Sequence, residues 1–368
     1  MAVLSLRLLP STWCSRNAAT VWADDAPSLR AMATGVDHWR HGQLTATALL
    51  TGSARFDGEW LFGTYLMAGL GYGHSAIAHP AWRDEYVGAM EHCIDQLLSE
   101  RVRVFDRDAW RHDPLEDLGS PRAHAAYLGY LDLLLGVHRK LDPDSRYADL
   151  HDRISDHLAA LIERSPIGLV QTYPGETYPV DNTAIFGALA LHQRTAGADH
   201  RAALATARLA IVRFQDSSTG LLVQSVDPGS GRWVDGPRGS GTALAVYFTS
   251  FWDEAVSLAL YRAQQQLRRD VLGFGTMREY PSGVDGRGDI DSGPVVLGVS
   301  ISSTGFSLAG SRIHDDRDTF EALFATATLF GAPIDRDGAR NFALGGPLGD
   351  ALMFAMLTAR PAATWSAP

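Results

Sequence analysis

Lysine is almost missing from this chain: of 32 lysine and arginine residues only Lys140 is a lysine. That removes a P-loop, which needs Gly-Lys-Ser/Thr, and a Schiff-base enzyme, which needs a lysine in a pocket; Lys140 ends a helical segment, where a solvated cation is expected. Cysteine is nearly as scarce. Cys14 and Cys93 can form at most one bridge and cannot build a cysteine zinc site. A Gly-x-Ser-x-Gly elbow is lacking too, since the nearest approach, Gly73-His74-Ser75-Ala76-Ile77, has no final glycine. Gly69, Gly71 and Gly73 imitate part of a dinucleotide loop with no strand before them, and read instead as close helix packing. No segment approaches the ~18 continuous apolar residues of a membrane span. With no basic run and a net charge of −10, nucleic acid and acidic membrane surfaces are poor partners. Residues 1–10 contain the single cation Arg7 and no small-residue cleavage site, so a cytoplasmic protein is the expectation.

What the chain does have is apolar material: 46% of its 368 residues are hydrophobic and 20% charged, enough to bury a large core. Helical periodicity recurs, with Tyr86, Met90, Cys93, Ile94 and Leu97 on one stripe and Leu150, Ile154, Leu158 and Leu161 on another. Six loops rich in Gly, Pro and Asp precede small-residue apolar segments that begin near Asp57, Ser120, Pro179, Gly239, Asp289 and Gly346. A repeat of about 57 residues accommodates two helices and two connections. Six such hairpins predict an all-α (α/α)6 toroid over 41–368, after an N-terminal extension over 1–40. Apolar helices such as 241–251 and 294–309 suit the inner ring; charged, amphipathic ones such as 81–100, 146–164 and 199–214 suit the outer ring. An open helical solenoid is the alternative.

In a toroid the N-terminal ends of the inner helices converge, and the loops before them line a cavity where polar and aromatic residues collect. Catalytic candidates there are Glu59, His124, Tyr127, Glu176 and Tyr178. The prolines around Tyr173-Pro174-Gly175-Glu176-Thr177-Tyr178-Pro179 stiffen a loop that can present a proton donor. His124 is placed one turn into a helix capped by Ser120, with Tyr127 on the same face. Candidate substrate contacts are Trp60, Tyr65, Tyr173, Asp181, Trp233, Arg238, Glu279, Asp289 and Asp291. Asp181 also reads as an N-cap, and so does Asp291, with Pro294 in the first turn of its helix. His38, His41, His74 and His79 match no carboxylate pattern, so neither metal nor cofactor is expected.

Ala123-His124-Ala125-Ala126-Tyr127-Leu128-Gly129-Tyr130-Leu131 and Tyr178-Pro179-Val180-Asp181-Asn182 resemble segments of the linalool dehydratase-isomerase family, as does Glu59 followed by Tyr65. The resemblance spans about 55–360. It implies an (α/α)6 barrel in which Glu59, Tyr65, His124 and the 178–187 region line the active site. That family's loop carries two cysteines implicated in its chemistry; the matching positions here are Tyr178 and Gly187, and neither can act as a thiol. The function expected is cofactor-free acid/base catalysis on a small hydroxylated substrate, terpenoid-like or a sugar, by a hydro-lyase or isomerase. The alternative is a glycoside hydrolase, uronate lyase or epimerase on the same barrel, which the carboxylates and Trp60, Trp110 and Trp233 suit. A noncatalytic helical interaction protein is the third reading. Oligomeric state is not legible.

Overall fold

The computed structural model describes residues 10–42 and 44–365; the N-terminal segment 1–9 weighed above for secretion lies outside them. Six inner helices form a ring: Ala54–Ala78, Ala125–Leu141, Pro179–Ala196, Gly239–Thr249, Ile301–Ile313 and Gly346–Thr358. Each packs on the next, and the sixth packs on the first, so the fold is a closed (α/α)6 toroid and not an open solenoid. Arg83–Leu98, Ala148–Arg164, Arg201–Phe214, Glu254–Gln265 and Arg317–Gly331 form the outer ring. Its sixth member is Ala26–His41, within the segment placed in an N-terminal extension. It is fastened to the last hairpin by Asp350, which accepts from Trp39 Nε1 at 2.6 Å, Asn341 Nδ2 at 2.7 Å and the Phe342 amide at 2.6 Å.

The division between rings follows the residue pattern. On Ala148–Arg164, Ile154, Leu158 and Ile162 point inward while Arg153, Asp156 and Glu163 stay in solvent. Gly239–Thr249 is buried almost all round, as its small apolar residues require. The glycines of the first inner helix are closest-approach points. A Cβ on Gly71 would lie 2.4 Å from Phe354 Cδ1, on Gly73 2.7 Å from Val137, and on Gly69 2.8 Å from Leu134.

Two inner helices begin later than the loop signals suggest. The second opens at Ala125, with His124 as its N-cap residue in the left-handed region (φ 47°) and no cap from Ser120. The fifth opens at Ile301, capped by the Ser300 hydroxyl, which accepts from the Ser303 amide at 3.0 Å. Neither Asp291 nor Pro294 belongs to it. Four short antiparallel hairpins occupy the connections before inner helices four to six, two of them ahead of the fifth. Their registers include Val223 with Pro237, Arg268 with Met277, Val295 with Ser300 and Pro333 with Phe342. No helix among the described residues is long and apolar enough to cross a membrane, and Cys14 and Cys93 are free thiols.

Gly71→Ala should lower stability by about 1–3 kcal/mol in denaturant titration, because Phe354 cannot retreat inside a closed ring. Gly88→Ala, on an exposed face of Arg83–Leu98 with open space around it, should instead raise stability by about 0.5–1 kcal/mol. Equal effects at the two positions would contradict the packing role.

Candidate active site

The mouth of the barrel is built from three alternate sectors. Glu59 stands in the second turn of the first inner helix, Asp181 in the first turn of the third, and Asp291 in the long connection before the fifth. Glu59 Oε2 accepts from the Tyr173 hydroxyl at 3.0 Å. Burial pushes the Glu59 carboxyl up to about 8, assisted by the charges of Asp291 and Asp181. Asp181 is raised by burial to about 6, even though it accepts from Tyr130 at 2.5 Å and Thr172 at 2.8 Å. Burial, with Asp289 and Asp181 nearby, lifts Asp291 to about 7. Because Asp291 retains solvent contact, burial acts on it less fully than on Glu59.

The loop before the third inner helix holds this arrangement in place. Pro174 and Gly175 (φ +81°) occupy the centre of a tight turn in which the Glu176 amide donates to the Tyr173 carbonyl at 2.9 Å. The turn sets Tyr173 against Glu59 and directs Glu176 to Arg55, with Nη2 to Oε2 at 3.1 Å. The Arg55 guanidinium also lies 3.5 Å from the centroid of the Tyr173 ring. Tyr178 donates to Glu176 Oε2 at 3.3 Å. Glu176 and Tyr178 are therefore a bonded clasp around Arg55 at the rim, and not a free proton donor and its partner. Across the mouth, Arg238 is held by Asp235 and, at 2.6 Å, by Asp289. Arg55 and Arg238 each keep an Nε with no hydrogen-bond partner.

Several expected site residues have other work. Asp181 is not the N-cap of its helix; Tyr178 occupies that position, and the Asp181 carboxyl faces Tyr130 and Thr172. Asp289 closes a turn by accepting from the Asp291 and Ser292 amides. Glu279 is buried, accepts from Ser240 at 2.6 Å, and is raised by that burial. Tyr127 donates to the Leu97 carbonyl at 2.8 Å inside the helical layers, and Tyr65 meets Arg101 of the outer layer at 3.4 Å. Neither hydroxyl is available in the mouth. His124 is fully buried against Trp110, with Nδ1 on Asp106 at 2.5 Å and Nε2 on Asp117 at 3.0 Å. Both ring nitrogens are engaged, which makes it the link between two carboxylates. Trp60 is half-buried beside Glu59, and Trp233 is exposed on the hairpin before the fourth inner helix. Arg55, Tyr130 and Thr172 are the contributors that residue type and spacing did not single out; Tyr130 lies in the same helix as Tyr127, one turn further in.

His124→Ala should lower stability by about 3–5 kcal/mol in chemical denaturation, since it leaves two facing carboxylates without their bridge. A loss below about 1 kcal/mol would show that the bridge contributes little. For Glu59, the folded-state carboxyl titrates above its unfolded value, so its contribution is complete below about 4.5 and is lost as pH rises through about 8. Glu59→Gln should therefore match the parent at pH 5 and exceed it at pH 9 by on the order of 2 kcal/mol, the open mouth reducing the full effect. A pH-independent difference would refute the raised titration.

Neither family models nor characterised proteins show a match to this sequence. Among solved structures, the chain is similar to an unsaturated glucuronyl hydrolase specific for heparin, with a TM-score of 0.54 and 9% identity over 92% of this chain and 96% of that one. It is also similar to the unsaturated glucuronyl hydrolase of Bacillus sp. GL1, responsible for degradation of glycosaminoglycan, at 0.47 and 13% identity over 81% and 85%. At 9% identity the likeness to the heparin-specific enzyme is one of fold alone.

Proposed function

We propose that this protein is a carbohydrate-active hydrolase that uses cofactor-free general acid/base catalysis on a uronate-bearing sugar. The observation that carries the reading is the trio Glu59, Asp181 and Asp291, whose titrations are spread by burial and mutual charge around neutral pH. A carboxyl titrating near 8 is protonated at pH 7 and can donate; a carboxyl with a lower value, open to water, can accept. Glu59 takes the first role, with Tyr173 fixing its orientation. Asp291, which carries no hydrogen bond of its own on the carboxylate and faces solvent, takes the second by removing a proton from the incoming water. Glu59 passes its proton to the leaving group, and the water supplies hydroxide to the sugar, so each turnover consumes one water. Asp181 keeps the mouth anionic enough to hold the Glu59 proton. Arg55 and Arg238, cations fixed at the rim, suit the sugar carboxylate. The heparin-specific glucuronyl hydrolase of similar fold is consistent with such a substrate.

Water addition to, or loss from, a double bond remains the second reading. It is favoured by the same protonated Glu59, which serves equally to protonate an alkene carbon or a departing hydroxyl. The thiol chemistry of the linalool dehydratase-isomerase family has no place in it, because a Cβ at Gly187 would already lie 2.8 Å from the Phe248 carbonyl.

The test is incubation with unsaturated glucuronyl oligosaccharides and, separately, terpene alcohols, with products read by mass spectrometry. Release of a shortened sugar with one water gained is the expected result. Glu59→Gln and Asp291→Asn should each lower kcat by roughly 10²- to 10⁴-fold. Turnover of terpene alcohols alone would select the second reading, and full activity in both variants would move the chemistry away from this trio.

A further inference from the structure

We propose that His151, Asp152 and His192 form a binding site for a divalent transition-metal ion of the zinc class, away from the mouth. His151 and Asp152 lie at the end of the first turn and the start of the second in the outer helix Ala148–Arg164, and His192 near the C-terminal end of the third inner helix. One ligand atom from each lies within 4.8 Å of the other two. His192 Nε2 is 2.7 Å from Asp152 Oδ1. Two imidazoles and a carboxylate are a donor set for zinc and its neighbours, whereas calcium and magnesium prefer all-oxygen shells.

A second observation points the same way. His151 is 1% exposed, yet neither of its ring nitrogens has a hydrogen-bond partner. A buried polar atom left unsatisfied is destabilising, and His151 carries two. The groups behind the ligands are also those that metal-bound imidazoles use. Asp132 Oδ1, unpartnered and buried, lies 3.9 Å from His151 Nε2, while its other oxygen accepts from Ser155 at 2.8 Å. His192 Nδ1 meets His200 Nε2 at 2.7 Å, which can fix the ring with Nε2 directed at Asp152. Arg139 donates to Asp152 Oδ1 and is the competing cation. The Asp152 side chain is 45% exposed, which leaves a route from solvent and its second oxygen for the ion.

The site is independent of the proposed reaction, and its test does not use activity. The full chain is stripped with a chelator and titrated with Zn²⁺ by calorimetry, and with Co²⁺ by visible absorption. One equivalent should bind with micromolar or tighter affinity, raise Tm, and give the d–d bands of a mixed nitrogen and oxygen shell. Asp132→Asn should weaken binding by roughly 10- to 100-fold, and His151→Gln should abolish the cobalt bands. If His151→Gln does not fold, Asp152→Ala, altered at a half-exposed position, takes its place and should also lose the bands. Absence of saturable binding to the parent, or bands unchanged in the folded variants, would overturn the site; the first result would leave internal water as the partner of His151.

Discussion

Closure of the ring at Gly71 against Phe354 is the contact on which the rest of the molecule depends. With no Cβ on Gly71, the first and sixth inner helices approach closely enough for the Phe354 ring to fill the seam. An open superhelix of the same hairpins would leave Glu59, Asp181 and Asp291 on separate sectors, each surrounded by water. Closure turns the alternate first, third and fifth sectors toward one cavity. Burial in that cavity, reinforced by the charges of Asp291 and Asp181, then moves Glu59 from an ordinary acid to one protonated at neutral pH.

Such a gathering of acids is costly, and the architecture offsets the cost in two ways. Six helix N-termini point at the mouth, and their partial positive charge favours anions there. Arg55 and Arg238 add full positive charges at the rim, each fixed by carboxylates outside the central trio. The rim acids Glu176, Asp235 and Asp289 thus position cations, and the inner acids remain available for proton transfer. The division follows from partners: Glu176, Asp235 and Asp289 are paired with the arginines, and Glu59, Asp181 and Asp291 are not.

Fold and site were legible in the sequence to different degrees. The toroid was readable because its repeat and its alternation of small-residue and amphipathic helices are local properties; Pro179, Gly239 and Gly346 are the observed starts of inner helices. The acids Glu59, Asp181 and Asp291 were identifiable by type and by position before an inner segment. Their partners were not. Tyr127 and Tyr130 are both tyrosines on one helix, and only the helix start at Ala125, fixed by the left-handed His124, decides which hydroxyl reaches Asp181. His124 was read with its sequence neighbours, whereas Asp106, in the helix Glu100–Trp110, and Asp117, in the connection after it, determine what it does. Glu59 on the first inner helix meets Tyr173 from before the third, because a closed ring joins sectors across its centre, and no local pattern records that.

The same helix polarity that favours acids at the mouth has an opposite consequence at the other end. There the inner helices end, and their carbonyl-rich C-termini favour positive charge. Arg139, Lys140 and Arg194 occupy those last turns, as the field requires. His192 shares that end, hydrogen-bonded between Asp152 and His200. A divalent ion held by His151, Asp152 and His192 adds positive charge at that end and satisfies ring nitrogens of His151 that burial leaves bare. The barrel thereby sorts its titratable groups by helix direction: carboxyls that exchange protons at one end, and imidazoles suited to a metal at the other.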